Sequence, residues 1–558
     1  MPFSAVTPKN ISMKNYSFSV VFIMLLCSMS CKKNEAVKIN ETVLANKHNT
    51  FIHTNGTKIV DANNNTILLR GIAFSNWVWN DGIQTAHHNA QDYIRVKNMG
   101  MNCIRFYLNY RIFEDDATPY QYKQTGWDYL NQNIIWAKAN GIYLILNMHV
   151  PQGGYQSQGG GDALWTNVEN QNRLTALWKT IANKYKVEKQ IVGYGLVNEI
   201  VPTNSLTQWQ QLAQRLTDTI RRVDKNHILF IEKPIYIKGQ TTENADYNFP
   251  VINDDNKVYE FHTYEPYYYT HQLFSWTGLP DGGKYPDENN LNYEDATWYN
   301  GIFNNPKLPS GNNDWQQFDG VKYKVTDGNM KLGVPVLVGA NVTGKVYFDN
   351  LILKEYDTAG VFVRDVLDIN LNDIASWGYW SSNNTGTYGI ATNTGVGDNT
   401  SIFINGNTLD CNLSNYRKIF LVKQGYYYKI SGWMKGENVS AQANCSIRID
   451  FLNTSKPIYG RNKQYMEFAI NKYTAWAKQK NVPVYMGEFG AGNPCFQNGK
   501  GGLQFVNDVI DITKASGIHF TYHAYHESAF GLYLGDSGLP DPANANNSLI
   551  NLFTQKLQ

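Results

Sequence analysis

The sequence predicts an α/β fold, a (β/α)8 TIM barrel with an inserted all-β sandwich domain, and three features carry that expectation. Eight short apolar runs read as buried strands, amphipathic helical stripes lie between them, and one long stretch between the sixth and seventh runs alternates like strands and shows no helical period. The 558 residues include 37 Tyr, 25 Phe and 14 Trp, which is enough apolar surface for a large domain plus a second module and excludes a disordered chain. A formal net charge of +2 offers no electrostatic footprint for nucleic acid or an anionic membrane, so a neutral, hydroxyl-rich partner is expected.

At the N-terminus, Lys14 precedes an apolar run from Phe18 to Cys27. The run is too short for a bilayer of about 30 Å but suits the h-region of a signal peptide, with Met13 as the better start. Ser28-Met29-Ser30-Cys31, followed by Lys32-Lys33-Asn34-Glu35, resembles the lipobox of bacterial lipoproteins, although Ser28 stands where Leu is usual. Residues 1–31 are therefore read as a signal peptide and 32–50 as a tether. That resemblance implies an exported, envelope-anchored lipoprotein attached through Cys31; the alternative is ordinary cleavage and secretion.

The barrel is expected in two parts, residues 51–300 and 462–558. Two short strand patterns around Asn63-Asn64-Asn65 form an opening hairpin that closes the floor. The strand candidates are Leu68 to Phe74, Asn102 to Leu108, Tyr143 to His149, Val192 to Asn198, Ile228 to Glu232, Val258 to His262, Val482 to Gly487 and Ile518 to Tyr522. Leu174, Leu177, Trp178, Ile181, Ala182 and Tyr185 form one helical stripe, and Trp209, Leu212, Ala213, Leu216, Ile220 and Val223 another. The helix after strand six is expected to resume with Phe468, Ala469, Tyr473 and Trp476.

Residues 301–461 read as the inserted sandwich, with alternating runs Lys345 to Leu353 and Gly425 to Trp433 between Gly-, Asn- and Thr-rich turns. Cys411 and Cys445 lie in this module, either as a pair or as separate buried thiols. Trp377, Tyr379 and Trp380 are candidates for a sugar platform, with a purely structural insert as the alternative. No reaction cofactor is expected; Asp349 and Asp398 are the candidate ligands of a structural calcium.

The chemistry concentrates at the strand ends. Strand four ends in GYGLVNEI and strand seven in VYMGEFG, so Glu199 and Glu488 are delivered to the C-terminal mouth of the barrel. Paired carboxyl groups suit a glycosidic bond, one as proton donor to the leaving oxygen and one as nucleophile at the anomeric carbon. Mutual repulsion and burial should keep one of the two protonated. Glu199 is assigned as acid/base and Glu488 as nucleophile.

With these motifs the chain resembles family 5 glycoside hydrolases, of the clan whose catalytic glutamates stand on strands four and seven. The resemblance implies further site residues. Arg105 in NCIRFYL would hold Glu488 ionised, and His149 in YLILNMHV would reach sugar hydroxyls. Asn198 would bind the substrate 2-hydroxyl. His262 and Tyr264 in YEFHTYEP would sit beside the nucleophile. One departure stands out: strand eight of the family presents a tryptophan under the sugar, whereas Gly517 to Glu527 contains none, and His523 is expected in its place with Tyr525 or Tyr522 as substitutes. Trp77 and Trp79 are the leading candidates for stacking on pyranose rings, with Trp165, Trp298 and Tyr267-Tyr268-Tyr269 as further rim aromatics. The glycine-rich segment Gly153 to Gly161 lacks the GKS/T of a phosphate loop and reads as a mobile cleft wall. A metal site at His523 and His526 is not expected, since residues three apart on a strand face opposite sides.

The resemblance thus implies a retaining endo-β-glycanase acting on a β-1,4-linked polysaccharide or oligosaccharide, with β-glucan or cellulose first and mannan or xyloglucan as alternatives. It would act as a monomer. The reading from another class is a glycan-capturing surface lipoprotein without catalysis. The inserted strands also resemble jelly-roll carbohydrate-binding modules; because Gly344 to Glu355 precedes Tyr426 to Asn438, a circularly permuted sandwich is expected.

Overall fold

The computed structural model describes residues 50–79, 87–240, 249–383, 385–406 and 410–558. The signal segment, Cys31 and nearly all of the expected tether lie outside the described residues. The chain divides into two compact units, one of residues 48–295 with 456–558 and one of residues 296–455.

The first unit is a closed barrel of eight parallel strands: β1 (Arg70–Phe74), β2 (Cys103–Asn109), β3 (Tyr143–Val150), β4 (Ile191–Gly195), β5 (Ile228–Glu232), β6 (Lys257–Thr263), β7 (Val484–Phe489) and β8 (His519–Tyr522). All eight are nearly continuous buried runs, as expected for parallel strands covered on both faces. The interior of the barrel is filled by Cys103, Ile145, Val192, Ile228, Phe230, Val258 and Tyr485. Ile59 packs into the same cluster from the opening hairpin, His53–Asn55 with Lys58–Val60. The hairpin reverses at Gly56-Thr57, where Gly56 has φ +56, and the chain folds back again at Asn63-Asn64-Asn65, across which Val60 and Thr66 form an antiparallel bridge.

Helices Val168–Tyr185 and Leu206–Arg221 bury the stripes read from the sequence. Their indoles also cap the barrel mouth. Trp178 Nε1 donates to the Leu196 carbonyl at 2.9 Å, and Trp209 Nε1 donates to the Glu232 carbonyl at 2.9 Å, satisfying acceptors just where the strands end. The helix after β6 is Lys463–Lys480, and its most buried face is Met466, Ile470, Thr474 and Ala477. Tyr473 and Trp476, named among the residues of this helix, sit half-buried at the edge of that face, where Tyr473 stacks on Phe261 at 4.0 Å and Trp476 on Phe249 at 4.2 Å.

Between β6 and that helix the chain leaves the barrel along a two-stranded ribbon, Asp287–Asn292 paired with Tyr459–Arg461. This ribbon places the module boundaries a few residues earlier than the expected 301 and 461, because Thr297–Gly301 is already a sandwich strand. The second unit has two antiparallel sheets around one core, with Leu337, Ile447 and Phe451 from one sheet and Val346, Phe348, Ile430 and Met434 from the other. The two signature strands, Lys345–Tyr356 and Tyr427–Val439, are direct neighbours.

One expectation for this unit changes, and one open alternative is decided. Trp377 is 6% exposed and belongs to the core, leaving Tyr379, which stacks on Tyr388, and the exposed Trp380. Cys411 and Cys445 are separate buried thiols: their strands flank Leu332–Ala340 on opposite sides, two strand spacings or about 9.5 Å apart, beyond the reach of a disulfide. Asp349 accepts N–H bonds from Asn350, Leu371 and Val396, and Asp398 accepts from Thr400, Asn370 and Asn372, so both carboxylates already serve to fold turns.

The β4–β5 contact depends on a missing side chain. A Cβ on Gly193 would lie 2.1 Å from the Ile228 carbonyl oxygen, a backbone atom that cannot yield without separating the strands. Gly193→Ala is expected to destabilise the protein by about 1–3 kcal/mol, the usual range for overpacking; an unchanged urea midpoint would contradict this account of the pairing.

Candidate active site

Period-two alternation sends Arg105 and Tyr107 of β2 to one face, and Glu260, His262 and Tyr264 at β6 likewise. Closure of the barrel turns both faces inward, toward Glu488 near the end of β7, whose Cα pairs with that of His262. Glu488 Oε1 accepts from Arg105 Nη1 at 2.7 Å and from the Tyr107 hydroxyl at 2.5 Å, and Oε2 accepts from the Tyr264 hydroxyl at 2.7 Å. Burial opposes the ionised form, but His262, His523 and Arg105 outweigh it and hold the carboxyl well below the usual carboxylate range. Glu488 is an anion with three donors on it.

Arg105 is fully buried and spreads its fork over several partners. Beyond Glu488, its Nη2 donates to Asn198 Oδ1 at 2.8 Å and its Nε lies 2.8 Å from Glu260 Oε1. Burial works against its charge, yet Glu260, Tyr107, Glu488 and Glu232 together hold it well above its ordinary value.

Glu199 follows β4 at φ +43, in the left-handed region that costs a non-glycine residue of order 1 kcal/mol or more. Its N–H donates to Glu232 Oε1 at 2.9 Å, which holds the turn. The Glu199 carboxylate meets His262 Nδ1 at 3.0 Å, and an oxygen of Glu199, one of Glu488 and a ring nitrogen of His262 lie within 4.8 Å of one another. Burial disfavours a charge on His262, but Glu232, Glu488, Glu199 and Glu260 surround it and raise its pKa well above the ordinary histidine value. Glu232 moves the other way from Glu488: burial, with Glu260 and Glu199 nearby, raises its carboxyl well above the usual range against the opposing pull of His262 and Arg105. These side chains form the sets of potential metal ligands found among the described residues. His262 belongs to both sets, with Nδ1 on Glu199 and Nε2 between Arg105 Nη2 at 3.3 Å and Glu260 at 3.4 Å. A cation there would face the Arg105 charge directly.

The remaining expected residues converge on the same place. Asn198 is buried and points its amide nitrogen toward Ser157 and His149, at 3.3 and 3.5 Å. His149 stacks on Tyr107 with centroids 3.9 Å apart, and burial keeps it neutral. His523 lies just beyond β8, beside Tyr107 and Glu527. Tyr522 and Tyr525, the substitutes considered for that position, are buried in the core. His149 and His523, together with Trp77 and Trp79, line a cleft of about 1230 Å³. Asn76 and Trp77 both adopt positive φ, which turns the chain after β1 and sets Trp77 edge-on to Trp79 at 5.3 Å.

Other rim aromatics divide. Trp165 is buried, donating to Gln156; Trp298 belongs to the sandwich unit; Tyr267 lines the cleft, whereas Tyr269 is in the core. Trp276, stacked on Phe274 at 5.5 Å, lines the cleft and was not singled out from the sequence. The glycine-rich segment contributes Tyr155, Ser157 and Gln158 to the wall, and Gln156 ties it by donating to the Gly154 and Gly161 carbonyls.

Sequence reasoning passed over Tyr107, Glu260, Glu232 and Glu527. The signal for the first two was present: each stands two residues from a chosen residue on the same strand face. Glu232 closes strand five just as Glu199 follows strand four. Glu527 carried no such signal, because only the loop after β8 brings it back to His523.

Arg105→Met would leave Glu488 and Glu260 buried without their cation, and is expected to cost about 3–5 kcal/mol at neutral pH. The folded pKa of Glu488 is depressed, so its stabilising contribution is present above the ordinary glutamate value of 4.5 and is lost as pH falls through the folded value. The deficit measured by denaturant unfolding should therefore shrink in strong acid; a deficit independent of pH would contradict the ion-pair account.

The family described as cellulase, glycosyl hydrolase family 5, matches residues 60–386. Endoglucanase C of Acetivibrio thermocellus is 28% identical over 214 residues, which cover 37% of this chain and 60% of that protein. A β-xylosidase of Phanerodontia chrysosporium is 29% identical over 223 residues, covering 33% and 46% respectively. The chain thus spans about 60% or less of the length of these curated relatives. Among solved structures, Cel5A of Thermotoga maritima in complex with cellobiose is 14% identical, with a TM-score of 0.46 over 87% of this chain and 97% of that one. On the family match, which extends over more than half of its residues, this chain belongs to glycosyl hydrolase family 5.

Proposed function

We propose that the protein is a retaining endo-β-glycanase that hydrolyses a β-1,4-linked polysaccharide, β-glucan or cellulose first, by double displacement. One observation carries the mechanism: carboxylate oxygens of Glu199 and Glu488 approach within 4.8 Å inside one cleft. Retaining enzymes hold their carboxyl groups about 5–5.5 Å apart, whereas inverting enzymes leave about 6.5–9.5 Å for a water. The shorter spacing favours direct attack on the sugar.

In the first step Glu199 gives its proton to the glycosidic oxygen as the bond to the anomeric carbon breaks, and Glu488 bonds to that carbon. Glu199, now ionised, then takes a proton from water, which attacks the anomeric carbon and releases Glu488. Donors on Glu488 keep it anionic until attack. His262, between the two carboxylates, supports the negative charge that moves from Glu488 to Glu199 during the first step. Asn198 offers its amide to the sugar 2-hydroxyl, a contact that strengthens as positive charge grows at carbon one.

An open cleft with Trp77, Trp79, Tyr267 and Trp276 on its walls suits a chain of pyranose rings, which supports endo action on a polymer. His523 at the floor, in the place where the family presents a tryptophan, favours the second reading of a β-mannanase or xyloglucanase, because a polar floor accommodates a different ring. Export is proposed on the apolar run Phe18 to Cys27, with anchoring through Cys31.

Glu488→Gln is expected to lower turnover at least about 10³-fold while leaving glycan binding measurable. Reducing-end release at the wild-type rate would overturn the assignment of the nucleophile. A panel of soluble β-glucan, mannan and xyloglucan, with NMR of the first-formed anomer, tests substrate and stereochemistry together; initial formation of the α-anomer would exclude double displacement.

A further inference from the structure

On the β8 side of the cleft a second chain of contacts reaches the nucleophile. The Tyr107 hydroxyl donates to Glu488 Oε1 at 2.5 Å, and the same oxygen lies 3.1 Å from His523 Nδ1. The other ring nitrogen, Nε2, lies 3.2 Å from Glu527 Oε1. Tyr107 has one proton. With that proton on the bond to Glu488, its oxygen can only accept from His523, so Nδ1 must carry a hydrogen; Nε2, facing a carboxylate, must carry one too. The His523 ring lies nearly parallel to the Tyr107 ring, at 14° with centroids 6.0 Å apart, and Tyr264 and Phe530 close its flanks.

We propose that His523, held by Glu527 with both ring nitrogens protonated, is a positioning residue that acts through Tyr107 to keep the Tyr107 proton directed at Glu488. This rests on the double-displacement reading above. A neutral His523 with its hydrogen retained on Nε2 would present a lone pair to Tyr107 and compete with Glu488 for the same proton. The nucleophile would then lose one of its three donors, and the phenol would swing its dipole away from it.

The charges around the ring agree with this role. Burial opposes a charge on the ring, but Glu527 from the β8 loop, Glu488 from β7 and Glu199 from the turn after β4 outweigh it and raise its pKa to about 8. Tyr107 from β2 and Tyr264 from β6 are neutral phenols, raised by burial. His149 from β3 and His271 beyond β6 are kept uncharged by burial, and Arg105 bears on Tyr107 from the opposite side, 5.0 Å from its ring centre. A raised folded pKa means that the protonated form holds below about pH 8 and is lost as pH rises through it.

The test uses 2,4-dinitrophenyl β-cellobioside, whose leaving group needs no proton, so that kcat/KM reports on the nucleophile rather than on Glu199. Wild type should hold a plateau and decline above about pH 8. Glu527→Gln should move that decline at least about one pH unit lower, because a supporting charge is gone. His523→Gln, which can still donate to Tyr107 and does not titrate, should remove the decline, and His523→Leu should fall about tenfold or more below His523→Gln at every pH. An unmoved decline in Glu527→Gln, or equal activity of the Gln and Leu variants, would overturn the proposal. Nitrogen-15 NMR of the ring provides a readout independent of turnover: both nitrogens of His523 should be protonated at pH 6.5, and a neutral ring at that pH would overturn the proposal even in an active enzyme. If wild type fails to cleave any aryl glycoside while the ring titrates as expected, the double-displacement reading fails and the hydrogen-bond relay stands.

Discussion

A buried guanidinium organises this molecule. Arg105 sits at zero exposure in the barrel, and a charge in that position persists only if carboxylates and hydrogen-bond acceptors surround it. β7 contributes Glu488, β6 contributes Glu260, and the turn after β4 contributes Asn198. Those partners come from strands far apart in sequence, so the ion cluster is satisfied only when the barrel is closed. Folding and assembly of the site are therefore one event, and the ionised state of Glu488 is a consequence of closure.

The same cluster divides its carboxyl groups by environment. Glu488, with three donors and nearby cations, is held well below the usual carboxylate range, while Glu232, buried among other acids and offering one oxygen to the Glu199 N–H, is held well above it. Burial acts on both with the same sign; what differs is the count of donors and positive charges within reach. Glu232 thus supports the strained backbone of Glu199 by accepting its N–H. His262 joins the two regions because its ring edge touches carboxylates from β5, β6, β7 and the turn after β4.

An insertion of well over a hundred residues leaves this arrangement intact because it enters where the barrel tolerates length. β6 and β7 pair directly, with Glu488 opposite His262, although the whole sandwich lies between them in sequence. The ribbon of Asp287–Asn292 and Tyr459–Arg461 brings the outgoing and returning chain side by side. Loop-closure entropy grows only slowly with length, so a folded module with adjacent ends costs the barrel little.

Periodicity in the sequence was sufficient for the barrel, the sandwich and the two glutamates, because alternation and buried runs are local properties that strand and helix geometry enforce directly. Glu199 and Glu488 could be chosen from position alone, since a residue at a strand's C-terminal end has one place to go in a closed barrel. The burial of Trp377, the separation of Cys411 from Cys445 and the half-buried setting of Tyr473 depended on which neighbour each strand or helix found across the core. The relay from Glu527 through His523 and Tyr107 to Glu488 was likewise a matter for the folded chain. Its four members lie on β2, β7 and the loop after β8, and hydrogen bonds between them require distances near 3 Å that no spacing along the sequence encodes.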